Sequence, residues 1–185
     1  MKILSIANFV ARKRLDLCAL ACLELEKRHG LKGVKWTVIG RGKDEKRVKS
    51  LAPSSMEFIP KVQSLKDYYQ AADVFVLPSC DEGFGMVYIE AIMCGCPVIC
   101  RQDDGGQEIV DTTGGGIAVD IPESDDGAVK NIINAIDKIM SDRNHYACEK
   151  TKALAVRMVH PERIKQKWAE LITDAMKSLP ETSLN

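Results

Sequence analysis

The sequence lacks any apolar run that could cross a membrane, since a transmembrane helix needs about 20 predominantly apolar residues. It also lacks a signal peptide: Met1 and Lys2 lead into the short run Ile3–Ala7, which no small-residue cleavage site follows. Both absences predict a cytoplasmic protein with no transmembrane segment.

An excess of charge of either sign is also missing. The 26 basic and 26 acidic residues cancel, which argues against a nucleic-acid binder driven by bulk charge. No internal repeat or low-complexity linker divides the chain. Its 185 residues suffice for one domain with a sizeable core and are short for two, so we expect residues 1–185 to form a single domain.

Metal-binding patterns are scarce as well. The seven cysteines are an odd number without a secretory signal, which predicts reduced, buried thiols. Cys94 and Cys96 have no neighbouring histidine, so they make a poor zinc site. No Asp-x-Asp motif follows a predicted strand, and two adjacent aspartate pairs are predicted to be turn or cap residues, namely Asp103-Asp104 and Asp125-Asp126. We therefore expect no metal site and no cofactor.

What the sequence does contain is an alternation of short β-rich runs with segments of helical periodicity. Nearly continuous apolar runs indicate strands that are covered on both faces, as in a parallel sheet. This pattern predicts an α/β, Rossmann-like doubly wound parallel sheet of about six strands. The predicted strands are Ile3–Phe9, Lys35–Ile39, Met56–Ile59, Val74–Leu77, Pro97–Cys100 and Gly116–Val119.

The C-terminal part is predicted to be a helical tail, beginning near Asp125. Its last helix is expected within residues 160–177, with an apolar face formed by Ile164, Trp168, Leu171 and Ile172.

Two glycine-containing loops follow predicted strands, where ligands bind in doubly wound folds. In the first, Gly83 and Gly85 precede a helix that begins near Met86, and Glu82 and Glu90 stand on either side. The amides at the helix start suit a phosphate, and the two carboxylates suit sugar hydroxyls.

The second loop carries Gly105-Gly106 ahead of another apolar helix start. Each glycine pair alone is more typical of an ordinary turn than of a ligand site. Their occurrence after successive strands of one sheet favours a ligand site.

At these residues the chain resembles the C-terminal domain of family 4 retaining glycosyltransferases, which have the two-domain GT-B fold. The segment Ser79–Ile99 is similar to the family motif of two glutamates separated by seven residues, here Glu82 and Glu90. Gly105–Val110 resembles the Gly-Gly-x-x-Glu-Ile element that follows it.

This resemblance implies a nucleotide-diphosphate sugar as donor, net retention at the anomeric carbon and transfer of a hexose-type sugar to a glycan or glycolipid. It implies that Glu82 contacts the sugar hydroxyls, that Glu90 holds the ribose, and that Lys13 contacts the diphosphate. The catalytic residues implied are Glu82 and Lys13. The implied donor-binding residues are Asn8, Lys13, Lys61, Val62, Glu82, Gly83, Phe84, Gly85, Met86, Glu90, Gly105 and Gly106.

Two positions depart from the family pattern. Asn8 stands where the family has a phosphate-binding arginine, and Pro60 replaces a glycine near the base, which removes an amide donor. Structural alternatives also stay open: Lys13 could lie in a solvated basic turn, and Glu90 could be a helix surface residue.

The resemblance further implies that an N-terminal, acceptor-binding domain is missing, or is supplied by a separate subunit, and that the last helix packs toward it. The isolated chain would then be inactive, and the full-length enzyme could work at the inner face of the membrane. Alternative hypotheses are a non-catalytic nucleotide-sugar-binding or regulatory module and a GT-B-like sugar-nucleotide epimerase. A dinucleotide-binding oxidoreductase is disfavoured, because no Gly-x-Gly-x-x-Gly follows the first strand.

Overall fold

Six parallel strands form one sheet at the centre of the protein, in a computed structural model that describes residues 1–177 and the side chains up to residue 173. Their order in the sheet is β3-β2-β1-β4-β5-β6. The predicted α/β, doubly wound parallel sheet of six strands is therefore confirmed. The strands are β1 (Lys2–Ile6), β2 (Lys35–Ile39), β3 (Met56–Ile59), β4 (Val74–Val76), β5 (Val98–Arg101) and β6 (Gly116–Val119).

The first strand is shorter than its apolar pattern predicts. It ends at Ile6 rather than Phe9, because the Phe9 main chain turns toward the loop after β2. The Phe9 amide donates to the carbonyl of Arg41 at 2.9 Å, and its carbonyl accepts from the amide of Asp44 at 3.1 Å. The fourth strand ends one residue earlier than predicted and the fifth is shifted by one residue at both ends, whereas β2, β3 and β6 agree with the prediction.

Helices connect the strands and form the tail. The first helix ends at His29, before Gly30, whose φ of 74° suits glycine. Asp104 caps the fifth helix by accepting a hydrogen bond from the amide of Gly105, and Asp103 lies in the turn before it. The prediction that Asp103-Asp104 are turn or cap residues is therefore confirmed. The helices are α1 (Leu15–His29), α2 (Glu45–Leu51), α3 (Lys66–Ala71), α4 (Met86–Met93), α5 (Gly105–Thr113), α6 (Asp125–Ser141), α7 (Arg143–Tyr146), α8 (Glu149–Met158) and α9 (Pro161–Lys177).

The predicted helical tail is present, and its last helix exposes an apolar face. Trp168 of α9 is 62% exposed, and the other members of this face are exposed too, namely Ile164, Leu171 and Ile172. Residues 178–185 of the predicted single domain lie outside the described residues. Within 1–177, none of the helices combines the length and the apolar character needed to cross a membrane.

The sheet core is centred on a buried polar link across three strands. Trp36 of β2 is fully buried, and its indole N–H donates to the hydroxyl of Ser5 on β1 at 3.0 Å. That hydroxyl in turn donates to the carbonyl of Val76 on β4 at 2.6 Å. Each polar group of this link is therefore satisfied inside the core, as burial requires.

The cysteines divide into two groups. All seven are free thiols, and four are buried: Cys18, Cys22, Cys96 and Cys100. Burial raises the pKa of Cys18, Cys96 and Cys100 to about 12 each, which makes them inert at neutral pH. The expectation that all are buried is wrong for three, because the segments after β4, α4 and α7 reach the surface and leave Cys80, Cys94 and Cys148 half-buried.

The two tryptophans provide a matched test of this core. We expect Trp36→Phe to lower the free energy of unfolding by about 2–3 kcal/mol, because it removes buried volume and leaves the Ser5 hydroxyl without its donor. Trp168→Phe should change it by less than about 0.5 kcal/mol, since Trp168 is exposed. Urea unfolding followed by circular dichroism measures both. Equal losses of unfolding free energy in the two variants would contradict the burial of Trp36 and the exposure of Trp168.

Candidate functional site

The candidate site lies where the direction of strand addition reverses. β1 and β4 are hydrogen-bonded neighbours, while β2 and β3 extend the sheet on one side and β5 and β6 on the other. Ligands of doubly wound folds bind at such a point, beyond the carboxyl ends of the strands. Here the loop after β1 meets the loop after β4, and the amide of Cys80 donates to the carbonyl of Arg12 at 2.6 Å.

A buried ion pair joins the two loops. The ammonium of Lys13 donates to Oε2 of Glu82, and the side chains are only 11% and 17% exposed. Ser79, which is fully buried, donates from its hydroxyl to the same carboxylate oxygen at 3.1 Å. The two residues predicted to be catalytic are thus in contact, although they are 69 positions apart in the sequence, which does not reveal this contact.

Arg14 anchors the loop that carries Lys13. Its φ of 48° is left-handed, a conformation that is unfavourable for a non-glycine residue. Its guanidinium is held by Asp125 at 2.8 Å and by Asp16 at 3.3 Å. Asp16 is buried and also accepts from Arg47 of α2 at 2.8 Å. These ion pairs hold the turn after Lys13 against α2 and α6.

The start of α5 packs against the other side of the Glu82 loop. Asp104 accepts from the amide of Glu82 at 2.7 Å, and the amide of Gly105 donates to the carbonyl of Glu82 at 3.0 Å. A Cβ at Gly105 would lie 2.5 Å from the carbonyl oxygens of Glu82 and Gly83, so only glycine permits this approach. Gly106 is likewise constrained, because its Cβ would meet Cys100 at 2.7 Å.

These contacts give the second glycine pair a packing role. The Gly105 amide is already bonded inside the protein, so it does not form the open phosphate cradle that the loop pattern suggested. Contact of Gly105 or Gly106 with a donor remains a prediction.

The N-terminus of α4 offers main-chain amides. The helix starts at Met86 after Gly85, whose φ is 74°. Within residues 1–177, none of the hydrogen bonds uses the amides of Gly83, Phe84, Gly85 or Met86. Unsatisfied amides at a helix start carry partial positive charge and bind anions. The side chains of Phe84 and Met86 beside them are about half exposed.

Glu90 lies one turn further along α4. Its carboxylate accepts from the hydroxyl of Tyr69 of α3 at 3.0 Å. Burial, and then the charge of Glu90, raise the pKa of the Tyr69 phenol, so Tyr69 stays protonated and keeps donating. Glu90 is therefore an oriented, half-buried carboxylate, which disfavours the alternative of a plain helix surface residue.

The remaining predicted residues lie along the same edge of the sheet. Asn8 is exposed at the end of β1, Lys61 is exposed after β3, and Val62 next to it is half-buried. None of these three is in the hydrogen-bond network of Lys13 and Glu82 as far as the described chain goes. Sequence reasoning did not identify Ser79, Tyr69 or the Asp104 contact with Glu82, because no local pattern marks them.

The charges of this edge are segregated. The loops after β1, β2 and β3 carry cations, namely Arg12, Lys13, Arg14, Arg41, Lys43 and Lys61. The loops after β4 and β5 carry Asp81, Glu82, Asp103 and Asp104, which line an open cleft of about 780 Å³ together with Arg101. Across the described 177 residues, no three His, Cys, Asp or Glu side chains are grouped so as to hold a metal ion. Lys13 on the cationic side suits an anion, and the carboxylates on the acidic side suit hydroxyl groups.

The fold and this edge define a Rossmann-like type of α/β domain, and comparison with known proteins identifies its family. A model of the family described as "Glycosyl transferases group 1" matches residues 1–154. The chain belongs to this glycosyltransferase family.

Curated relatives agree with this assignment. The amylovoran biosynthesis glycosyltransferase AmsK of Erwinia amylovora is 29% identical over 146 residues, covering 72% of this chain and 35% of the relative. An uncharacterized glycosyltransferase of Haemophilus influenzae is 30% identical over 102 residues, covering 52% of this chain and 28% of the relative. The chain thus spans about a third of the length of these relatives.

A solved structure shares the fold. The pneumococcal O-GlcNAc transferase GtfA, crystallised in complex with UDP and GlcNAc, superposes with a TM-score of 0.76 at 17% identity, covering 95% of this chain and 36% of that one. The predicted fold class, one Rossmann-like half of a GT-B fold, is confirmed.

The Lys13–Glu82 pair predicts non-additive effects on stability. We expect Glu82→Gln and Lys13→Met each to lower the free energy of unfolding by about 1–2 kcal/mol, because each leaves a poorly solvated charge without its partner. The double variant should cost clearly less than the sum, with a coupling of at least about 0.5 kcal/mol. Urea unfolding of the four proteins measures the cycle. Strict additivity would show that the ion pair does not contribute.

Proposed function

We propose that the chain is the donor-binding domain of a retaining glycosyltransferase and binds a nucleotide-diphosphate sugar at the junction of β1 and β4. The observation that carries this proposal is the set of unused amides from Gly83 to Met86, next to the Lys13–Glu82 pair. Together they offer an anion site beside an oriented carboxylate, which matches a diphosphate joined to a sugar.

The diphosphate is assigned to the amides of the α4 start and to Lys13. A helix N-terminus supplies about half a positive charge and Lys13 a full one, which oppose the negative charges of the two phosphates. Lys13 is paired with Glu82, so a bound phosphate would share this ammonium. Asn8 brings no charge, and the further exposed cations on this side are Arg12, Arg41, Lys43 and Lys61.

Glu82 is assigned to the sugar hydroxyls and Glu90 to the ribose. Glu82 already accepts from Ser79, and one of its carboxylate oxygens makes no hydrogen bond to the described residues, which leaves it available to a hydroxyl. Glu90 is oriented by Tyr69 in a similar way.

For the reaction we propose front-face transfer with retention, in which the leaving diphosphate helps to deprotonate the incoming hydroxyl. The chain's own contribution is then stabilisation of the charge that develops on the leaving group, by Lys13 and the amides of Gly83–Gly85. Glu82 holds the sugar in the orientation that this transfer needs. No step in this scheme requires a metal ion.

The acceptor is assigned to a second domain or subunit, with this chain in the C-terminal position of a family 4 enzyme. The chain covers only about a third of the length of its relatives, which supports a second domain or subunit. The exposed apolar face of α9 also supports it, because a second domain could cover that face. We assign a hexose-type sugar as the transferred group and a glycan or glycolipid as the acceptor, and the amylovoran biosynthesis relative supports a role in glycan synthesis. With a glycolipid acceptor, the full-length enzyme would work at the inner face of the membrane.

Calorimetric titration tests the donor site directly. We expect the chain to bind one of UDP, GDP or ADP, and its sugar conjugate, with a Kd between micromolar and millimolar. Glu90→Ala should weaken nucleotide binding by about tenfold, the cost of one or two hydrogen bonds to a charged group. Addition of EDTA should leave the Kd unchanged if the site is metal-independent.

A matched control is Glu149→Ala, because Glu149 is an exposed glutamate at the start of α8, outside the site. It should bind like the wild type. Failure of the wild type to bind any of these nucleotides, or equal weakening by the two glutamate variants, would refute the proposed donor site.

Turnover is expected to need the second domain. The isolated chain should release no nucleoside diphosphate from the bound conjugate beyond the rate in buffer, as followed by chromatography. The chain fused behind the N-terminal half of a relative such as AmsK should release it in the presence of acceptor. Binding without release even in that fusion would favour a non-catalytic nucleotide-sugar-binding module.

A further inference from the structure

One carboxylate oxygen joins the two loops on the acidic side of the site. Oδ1 of Asp104 accepts from the amide of Glu82 at 2.7 Å and from the amide of Gly105 at 2.7 Å. Asp104 is the N-cap of α5, so its own helix orients it. The residue thus ties the main chain of a predicted catalytic glutamate to a rigid helix start.

The link is reciprocal. The carbonyl of Glu82 accepts from the amide of Gly105 at 3.0 Å, so the Glu82 peptide groups are bonded to α5 through both a donor and an acceptor. Gly105 has no room for a Cβ against Glu82 and Gly83, which shows how closely the two main chains approach.

Both sides of this link contain left-handed residues. Asp81, directly before Glu82, and Asp103, directly before Asp104, each have a φ of 57°. Non-glycine residues adopt this conformation at an energetic cost, and they keep it where surrounding bonds over-determine the backbone. The hydrogen bonds between Asp104, Gly105 and Glu82 are such bonds.

We propose that Asp104 is the positioning residue for Glu82. Ser79 and Lys13 hold the Glu82 carboxylate, but they can aim it only if its main chain is fixed, and Asp104 fixes it. The effect on ligands rests on the proposed function: without Asp104, Glu82 loses its alignment with the donor sugar. Of the proposed nucleotide contacts, Lys13 and Glu90 lie outside the Glu82 main chain, whereas the amides from Gly83 to Met86 follow it directly, so the diphosphate should lose less affinity than the sugar conjugate.

Amide hydrogen exchange, measured by NMR on the ligand-free chain, tests the link without any ligand. In Asp104→Ala we expect the Glu82 amide to exchange at least about tenfold faster than in the wild type, because its acceptor is gone. The Gly105 amide should change less, since it keeps the carbonyl of Glu82. Asp104→Asn retains an oxygen acceptor and should restore slow exchange at Glu82.

The matched control is Ser124→Ala. Ser124 is the N-cap of α6, and its hydroxyl accepts from the amide of Gly127 at 3.3 Å, away from Glu82. This variant should leave exchange at Glu82 unchanged. Unchanged exchange at Glu82 in Asp104→Ala, or equal acceleration in both alanine variants, would overturn the proposal.

Calorimetry then separates positioning from a general structural role. The probes are UDP and UDP-glucose. If the nucleotide titration shows that the chain binds GDP or ADP instead, the probes are that diphosphate and its glucose conjugate. Asp104→Ala should weaken the sugar conjugate by about tenfold, the value of one hydrogen bond to a charged group, and weaken the diphosphate by less than about threefold. Asp104→Asn should restore most of the affinity for the sugar conjugate that Asp104→Ala loses.

The outcomes distinguish this proposal from the donor-site proposal. Equal weakening of both ligands by Asp104→Ala would overturn the positioning role, because it would indicate a general loss of structure. If the wild type binds neither ligand, the donor site is refuted, while the exchange rates still decide whether Asp104 fixes the Glu82 main chain.

Discussion

β1 and β4 are hydrogen-bonded neighbours although two other strands lie between them along the chain. Their pairing is parallel, so the segments that follow them leave the sheet at the same edge and side by side. The Lys13–Glu82 ion pair depends on this pairing, because Lys13 follows the first strand and Glu82 the fourth. The buried link from Trp36 through Ser5 to Val76 holds the same two strands together from inside the core.

The edge of the sheet is rigid where the chemistry is proposed to occur. The three non-glycine residues with left-handed backbone in the described chain, Arg14, Asp81 and Asp103, all belong to the loops around Lys13, Glu82 and Asp104. Such conformations are unfavourable in isolation, and here ion pairs and main-chain hydrogen bonds offset their cost. An edge organised in this way before a ligand arrives loses less entropy when it binds.

Most of the fold and part of the site could be predicted from the residues alone. Apolar runs located all six strands, and misplaced chiefly the end of β1, where tertiary hydrogen bonds from Phe9 to the loop after β2 replace the strand ladder. The glycine-rich loops marked Glu82 and its neighbours. The sequence did not predict the roles of Ser79 and Tyr69 or the hydrogen bond from the Glu82 amide to Asp104. A serine, a tyrosine or a capping aspartate has the same local pattern whether or not it contacts a distant glutamate.

Local residue patterns specify the elements of this protein: hydrophobic periodicity specifies strands and helices over a few residues, and glycine or a capping side chain specifies where they end. The family pattern around Glu82 and Glu90 is likewise local. The contact of Lys13 with Glu82, the packing role of the Gly105 amide and the unused amides from Gly83 to Met86 depend instead on tertiary packing. Whether these groups find partners depends on residues far apart in the chain, and packing around the whole sheet sets the distances between them.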